Sequence, residues 1–168
     1  MKRPKVVVGI DADSKNIAIV WADRTDHSEP APGYSYLKGH GRRAEERFSG
    51  LLSEFREALT NLLDICAIIW VYLESPVYGG NAKALMDQAY VIGAIRAILT
   101  EYGVACSLVD SGVWKKRLIG NGHATKEEIR EWIKRTTLNS SLRTDDLAQD
   151  IYDAAAICQF GNIAVSGG

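Results

Sequence analysis

The chain has 168 residues, 46% of them hydrophobic and 24% charged, with a formal net charge of −1. That is the size and composition of one globular domain spanning 1–168, long enough to bury roughly 70% of its unfolded surface. No run approaches the ~20 apolar residues of a membrane span, and a near-zero net charge is not the footprint of a protein that grips polyanions over its whole surface. The N-terminal MKRPKVVVGIDAD is basic and then apolar. Its apolar run is short and ends in acids rather than a small-residue cleavage site, which argues against a signal peptide. Cys66, Cys106 and Cys158 sit in apolar sequence without metal-ligand spacing, so they read as reduced thiols of a cytoplasmic protein.

Taken in chain order, KVVVGID (5–11) is a β-branched run that predicts a buried strand, with NIAIVWAD (16–23) and the alternating GYSYLKG (33–39) as the next two. Between the last two, RTDHSEPAP is polar and proline-bearing, a loop. Phe48, Leu51, Leu52, Phe55, Leu59, Leu62 and Leu63 recur at helical spacing over about 42–64. CAIIWVYLES (66–75) is nearly all apolar, as in a strand covered on both faces. After the turn PVYGG, residues 82–101 predict an amphipathic helix and VACSLVD (104–110) a strand. Three helices follow: about 111–119, then about 126–136 behind a capping box at Thr125–Glu128, then about 145–160 capped near Thr144. Three strands in hairpin order followed by strand–helix–strand crossovers predict an α/β fold, a five-stranded mixed sheet with helices on both faces.

The acids fall where such a sheet does chemistry. Catalytic groups of open α/β sheets collect at the carboxyl ends of parallel strands; Asp11 ends the first predicted strand and Glu74 the most apolar one. In QDIYDAAAI, Asp150 and Asp153 share one helix face and repel, while the alanines behind them would let that helix approach the sheet closely. Each acid alone has a plain reading, as a strand-end turn residue or a solvated helix face. Together, four carboxylates at one point require hard cations, and oxygen-only ligation suits Mg²⁺ or Mn²⁺. Two such ions activate a water and stabilise a leaving oxygen in phosphodiester cleavage. Charge is also segregated: residues 111–136 carry seven Lys/Arg against three Glu, and residues 145–153 carry four Asp and no base.

GIDADSKNIAIVWAD, VYLESPVYGGN, WKKRLIGNGHATKEEI and QDIYDAAAI, in that order, resemble the RuvC-type Holliday-junction resolvases of the RNase H-like superfamily. The resemblance implies an RNase H-like nuclease domain, a homodimer whose two sites nick opposing strands of a four-way DNA junction, and two Mg²⁺ per site with Mn²⁺ as substitute. It implies no small-molecule cofactor and no membrane partner, and it fits a bacterial or a viral source. By resemblance, Asp11, Glu74, Asp150 and Asp153 match the family's catalytic acids, Lys126 a lysine near the scissile phosphate, and Lys115, beside Lys116, a second basic position. Twofold symmetry of protein and junction accounts for paired cuts.

The chain also departs from the family. Asp11-Ala12-Asp13 stands where a proline and glycine usually follow the aspartate; Asp13 reads as a turn former, with an outer-shell acid as the alternative. Tyr78 lies one position from where relatives carry an aromatic at the junction centre, and reads either as a base-stacking residue, worth about 1–3 kcal/mol, or as loop packing. Lys126, Arg130 and Lys134 are spaced as one helical stripe, a solvated face in most proteins and a phosphate track beside a metal cluster. Arg42, Arg43 and Arg47 are a possible extension of it, and His40 and His123 read as loop residues. The competing functions are a broader fork- or flap-debranching nuclease, a silent junction binder, an RNase H-like enzyme cutting RNA in hybrids, and a lobe of an actin-like ATPase. The complete acid set speaks against the silent binder, and the lack of glycine-rich phosphate loops against the ATPase.

Overall fold

In the computed structural model, residues 3–23, 33–136 and 140–166 are described; the loop expected over RTDHSEPAP lies outside them, at residues 24–32. The elements are β1 (Lys5–Ala12), β2 (Asn16–Asp23), β3 (Gly33–Lys38), α1 (Ala44–Ile65), β4 (Ala67–Glu74), α2 (Ala82–Glu101), β5 (Cys106–Val109), α3 (Ser111–Ile119), α4 (Lys126–Thr136) and α5 (Gln149–Ser166), with a 3₁₀ turn at Ser140–Leu142. The sheet order is β3-β2-β1-β4-β5. β1, β2 and β3 pair antiparallel, and β4 and β5 add to β1 in parallel, the mixed sheet the pattern predicts.

Alternation along β1 divides the molecule. Val6, Val8, Ile10 and Ala12 face one way and pack with Ile17, Ile19, Val71 and Leu73 against Leu51, Phe55 and Leu59 of α1 and Ile92, Ile95 and Leu99 of α2. Val7, Gly9 and Asp11 face the other way, toward α5, because successive side chains point to opposite faces. On that side Ala18, Val20 and Trp114 pack with Ile129 and Ile133 of α4 and the apolar length of α5.

Two boundaries differ from expectation. α5 begins at Gln149, not near Thr144, whose hydroxyl accepts from the Asp146 amide at 3.3 Å in a local turn. The helix then runs six residues beyond 160, through Gly161. That glycine is there for packing: a Cβ would sit 2.9 Å from Val7 Cγ1 and closer still to the Tyr72 ring. β5 is shorter at both ends than predicted. The capping box forms as expected, with Thr125 N donating to Glu128 Oε2 at 2.7 Å and Glu128 N to Thr125 Oγ1 at 3.2 Å. The three cysteines form no disulfide, and among the described residues no helix is long and apolar enough to cross a membrane.

Candidate active site

The strand register brings the first two acids together. β1 and β4 run parallel with Ile10 opposite Leu73, so Asp11 and Glu74 are the next step along both strands. Both lie on the face away from α1 and α2. In the antiparallel direction Asp11 pairs with Ala18, and Ala18 with Tyr36. The buried methyl of Ala18 leaves room above the sheet for the longer Tyr36 side chain to reach α5.

α5 brings in the other two acids because it lies directly on β1. A Cβ on Gly9 would meet the Cys158 nitrogen and the Ala154 carbonyl, with Cys158 Cα at 2.7 Å. Backbone contact of that kind needs a glycine on the strand and small residues on the helix, and Ala154, Ala155, Ala156 and Cys158 are all buried there. Cys158 Sγ donates to Val7 O at 3.3 Å, and complete burial pushes its thiol up to about 12. The first turn of α5 therefore carries Asp150 and Asp153 over the carboxyl end of β1.

Three of the four carboxylates are held by a neutral donor from a different residue. Trp114 Nε1 donates to Glu74 Oε1 at 2.9 Å, Tyr36 OH to Asp150 Oδ2 at 3.0 Å, and Gln149 Nε2 to Asp153 Oδ1 at 3.1 Å. Burial first, then the charges of Glu74, Asp153, Asp150 and Asp13, hold the Asp11 carboxyl well above its ordinary range. Burial also raises Glu74 and Asp153; the Trp114 and Gln149 hydrogen bonds oppose it, as does the charge of Lys115. Lys126 acts in the same sense on Asp153. Tyr36 is pushed up to about 12 by burial and by the carboxylate it faces. This is a buried pool of negative charge with two lysines at its rim. Among the described residues, no three His, Cys, Asp or Glu side chains are drawn close enough to hold one ion.

The remaining predicted residues separate. Lys116 and Lys126 are exposed and Lys115 is half-buried, its ammonium 5.3 Å from the Trp114 ring. The expected stripe is not a uniform outward face. Arg130 turns inward, 5.3 Å over the Tyr152 ring, and donates to Gln149 Oε1 at 3.3 Å. Lys134 is paired with Asp145 and Glu131. Both side chains are drawn in because the loop before α5 and its first turn pack along α4. Tyr78 is 64% exposed on the connection after Glu74, which Gln88 ties to the strand end by accepting from Val77 N at 3.1 Å and donating to Ala12 O at 3.3 Å. Asp13 Oδ1 accepts from Lys15 N at 2.6 Å and Asn16 N at 2.7 Å, closing the β1–β2 turn. His40, His123, Arg42 and Arg43 are exposed, and Arg47 is spent on the Gly41 and Arg42 carbonyls. The sequence reading missed Trp114, Tyr36 and Gln149; each is a side chain with a polar tip next to an expected site residue or on its face.

No family model matches the chain. A crossover junction endodeoxyribonuclease RuvC from Helicobacter pylori is 30% identical to it over 152 residues, 90% of this chain and 92% of that one. Among solved structures, Thermus thermophilus RuvC in complex with a Holliday junction substrate aligns with a TM-score of 0.77 and 21% identity over 96% of both chains. The yeast mitochondrial Holliday junction resolvase aligns with a TM-score of 0.62 and 11% identity over 95% of this chain and 80% of that one. The structures establish the fold and the Helicobacter relative establishes the family: the chain belongs to the RuvC crossover junction endodeoxyribonucleases.

Proposed function

We propose that this chain is a divalent-metal-dependent endodeoxyribonuclease that resolves four-way DNA junctions by paired symmetric nicks, acting as a homodimer of one nuclease domain spanning 1–168. The observation that carries the reading is the convergence of Asp11, Glu74, Asp150 and Asp153 where the carboxyl ends of β1 and β4 meet α5. Fold stability alone gains nothing from burying like charges, and binding DNA alone gains nothing from aiming them at phosphates.

The donor chemistry fits a hard cation, since every candidate ligand is a carboxylate oxygen. Burial first, with neighbouring carboxylates adding to it, holds Asp11, Glu74 and Asp153 above their ordinary range. Mg²⁺ keeps several waters and binds through one or two carboxylates, so the four residues would hold it without any three of them closing on one ion, with Mn²⁺ able to substitute. Two such ions would supply a metal-activated water and charge stabilisation at the leaving oxygen. The chain's own residues do the rest. Trp114, Tyr36 and Gln149 orient carboxylates, Lys115 and Lys126 place positive charge where a phosphate would approach, and exposed Tyr78 offers a ring to an unpaired base. Lys116 extends the basic rim for phosphate contacts that position without reading sequence.

Dimerisation has a surface available. α2 exposes Met86 and Tyr90, with Ala89, Gly93 and Ala97 along the same side, an apolar stripe that a second copy about a twofold axis would cover. The test is cutting of a labelled mobile four-way junction, a matched linear duplex and a fork, each in Mg²⁺ and in EDTA. Symmetric paired nicks in the junction, lost in EDTA, are expected. Equal cutting of the fork would widen the activity to general debranching, and junction binding without cutting in Mg²⁺ or Mn²⁺ would overturn the nuclease reading.

A further inference from the structure

Arg130 was expected on a phosphate-facing stripe, yet its guanidinium is committed to the protein interior. It lies 5.3 Å over the buried Tyr152 ring, its Nε is buried without a hydrogen-bond partner, and its Nη2 donates to Gln149 Oε1 at 3.3 Å. Gln149 spends the other end of its amide on the site: Nε2 donates to Asp153 Oδ1 at 3.1 Å. An amide has one acceptor end and one donor end. A cation on the oxygen therefore decides which end faces the carboxylate; flipped, Gln149 would aim a carbonyl at Asp153 and its NH₂ at Arg130, losing both bonds. The rest of this contact reinforces α4 against α5. Lys134 pairs with Asp145, and Tyr152 OH donates to Thr144 O, fixing the segment that leads into Gln149.

We propose that Arg130 and Gln149 form a positioning relay that fixes the Asp153 carboxylate for cation binding, so that Arg130 acts on the site through α5 and not on DNA. The relay joins α4, which starts with the exposed Lys126, to one of the four acids. It rests on the reading that those acids bind a divalent cation. Hydrogen-bonded partners of ligating carboxylates typically contribute 10–100-fold in metal affinity or activity.

The experiment is isothermal titration of the DNA-free protein with Mn²⁺, for wild type, Gln149→Leu, Arg130→Met and the double variant, each checked by thermal melting in EDTA. Arg130→Met keeps an aliphatic stem on Tyr152 and removes only the donor. Each single variant should weaken Mn²⁺ binding about 10-fold, and the double variant no more than either alone, as coupled members of one chain do. Junction affinity in Ca²⁺, and its salt slope, should match wild type in all three. Wild-type Mn²⁺ affinity in Gln149→Leu would overturn the relay. So would an Arg130→Met protein with unchanged Mn²⁺ affinity and a salt slope reduced by about 1, the mark of a lost phosphate contact. If Arg130→Met melts early, Gln149→Leu decides alone. A wild type that cuts no branched DNA, but whose Mn²⁺ affinity falls in Gln149→Leu, would sink the resolvase reading and leave the relay standing.

Discussion

The two faces of the sheet are built on opposite rules. Toward α1 and α2, large side chains interdigitate: Phe55, Leu51, Ile95 and Leu99 fill the space over Val8 and Ile10. Where α5 crosses β1 and β4 the layer thins to backbone contact, with Gly9 against Ala154 and Cys158 and Gly161 against Tyr72. The first arrangement stabilises by burying apolar area. The second gives up side-chain volume so that a helix carrying two aspartates reaches two strand ends carrying two more acids. Both faces bury apolar clusters, but only the α5 face also holds repelling charges together.

Truncation on the two faces should therefore have different consequences. Phe55→Ala should cost about 3–5 kcal/mol in denaturant unfolding while leaving Mn²⁺ affinity and cutting rate unchanged below its melting point. Gly9→Ala should cost about 3 kcal/mol and also lower the cutting rate, because α5 must move and takes Asp150 and Asp153 with it. A Gly9→Ala protein that cuts like wild type would break the distinction between the faces.

The charge pool also predicts a pH dependence. A carboxyl whose folded-state pKa is raised binds its proton more tightly in the folded protein. Its contribution is fully present below the ordinary carboxylate value and is lost as pH rises through the raised one. Asp11, Glu74 and Asp153 all shift this way, so in EDTA the protein should lose stability from this cluster as pH rises above the usual carboxylate range. Asp11→Asn should flatten that fall and raise the Tm at neutral pH, as the price of activity. Parallel Tm–pH curves for the two proteins would contradict it.

Smaller effects sharpen the account. Tyr36→Phe removes the hydroxyl that holds Asp150 Oδ2 and should weaken Mn²⁺ binding about 10-fold with little change in Tm. Lys126→Gln should leave Mn²⁺ binding nearly intact and reduce the salt slope of junction affinity by about 1.

Much of this was legible in the chain, where local pattern decides. Continuous apolar runs mark the strands, helical spacing marks α1 and α2, and the hairpin-then-crossover order gives the mixed sheet, while the pairing of β1 with β4 comes from the structure. Asp11 and Glu74 end side by side on the condition that their strands are adjacent and parallel, which the register meets, and the alanines after Asp153 signal close approach. Properties that depend on where elements lie across one another were not legible. Tyr36 reaches Asp150 only because β3, β2 and β1 stack Tyr36, Ala18 and Asp11 in one row. Arg130 and Lys134 kept their helical spacing but not an outward face, because α5 and the loop before it supply a ring, an amide and a carboxylate that periodicity within α4 does not reveal.

The central claim is that four carboxylates from β1, β4 and α5 act as one metal-dependent cutting site. Its most direct test is junction cleavage in Mg²⁺ by Asp11→Asn, Glu74→Gln, Asp150→Asn and Asp153→Asn separately, with junction binding measured in Ca²⁺. Each variant should bind the junction like wild type and cut it at least about 10³-fold more slowly, as members of one catalytic unit do. Near-normal cutting by any one of them would contradict the claim.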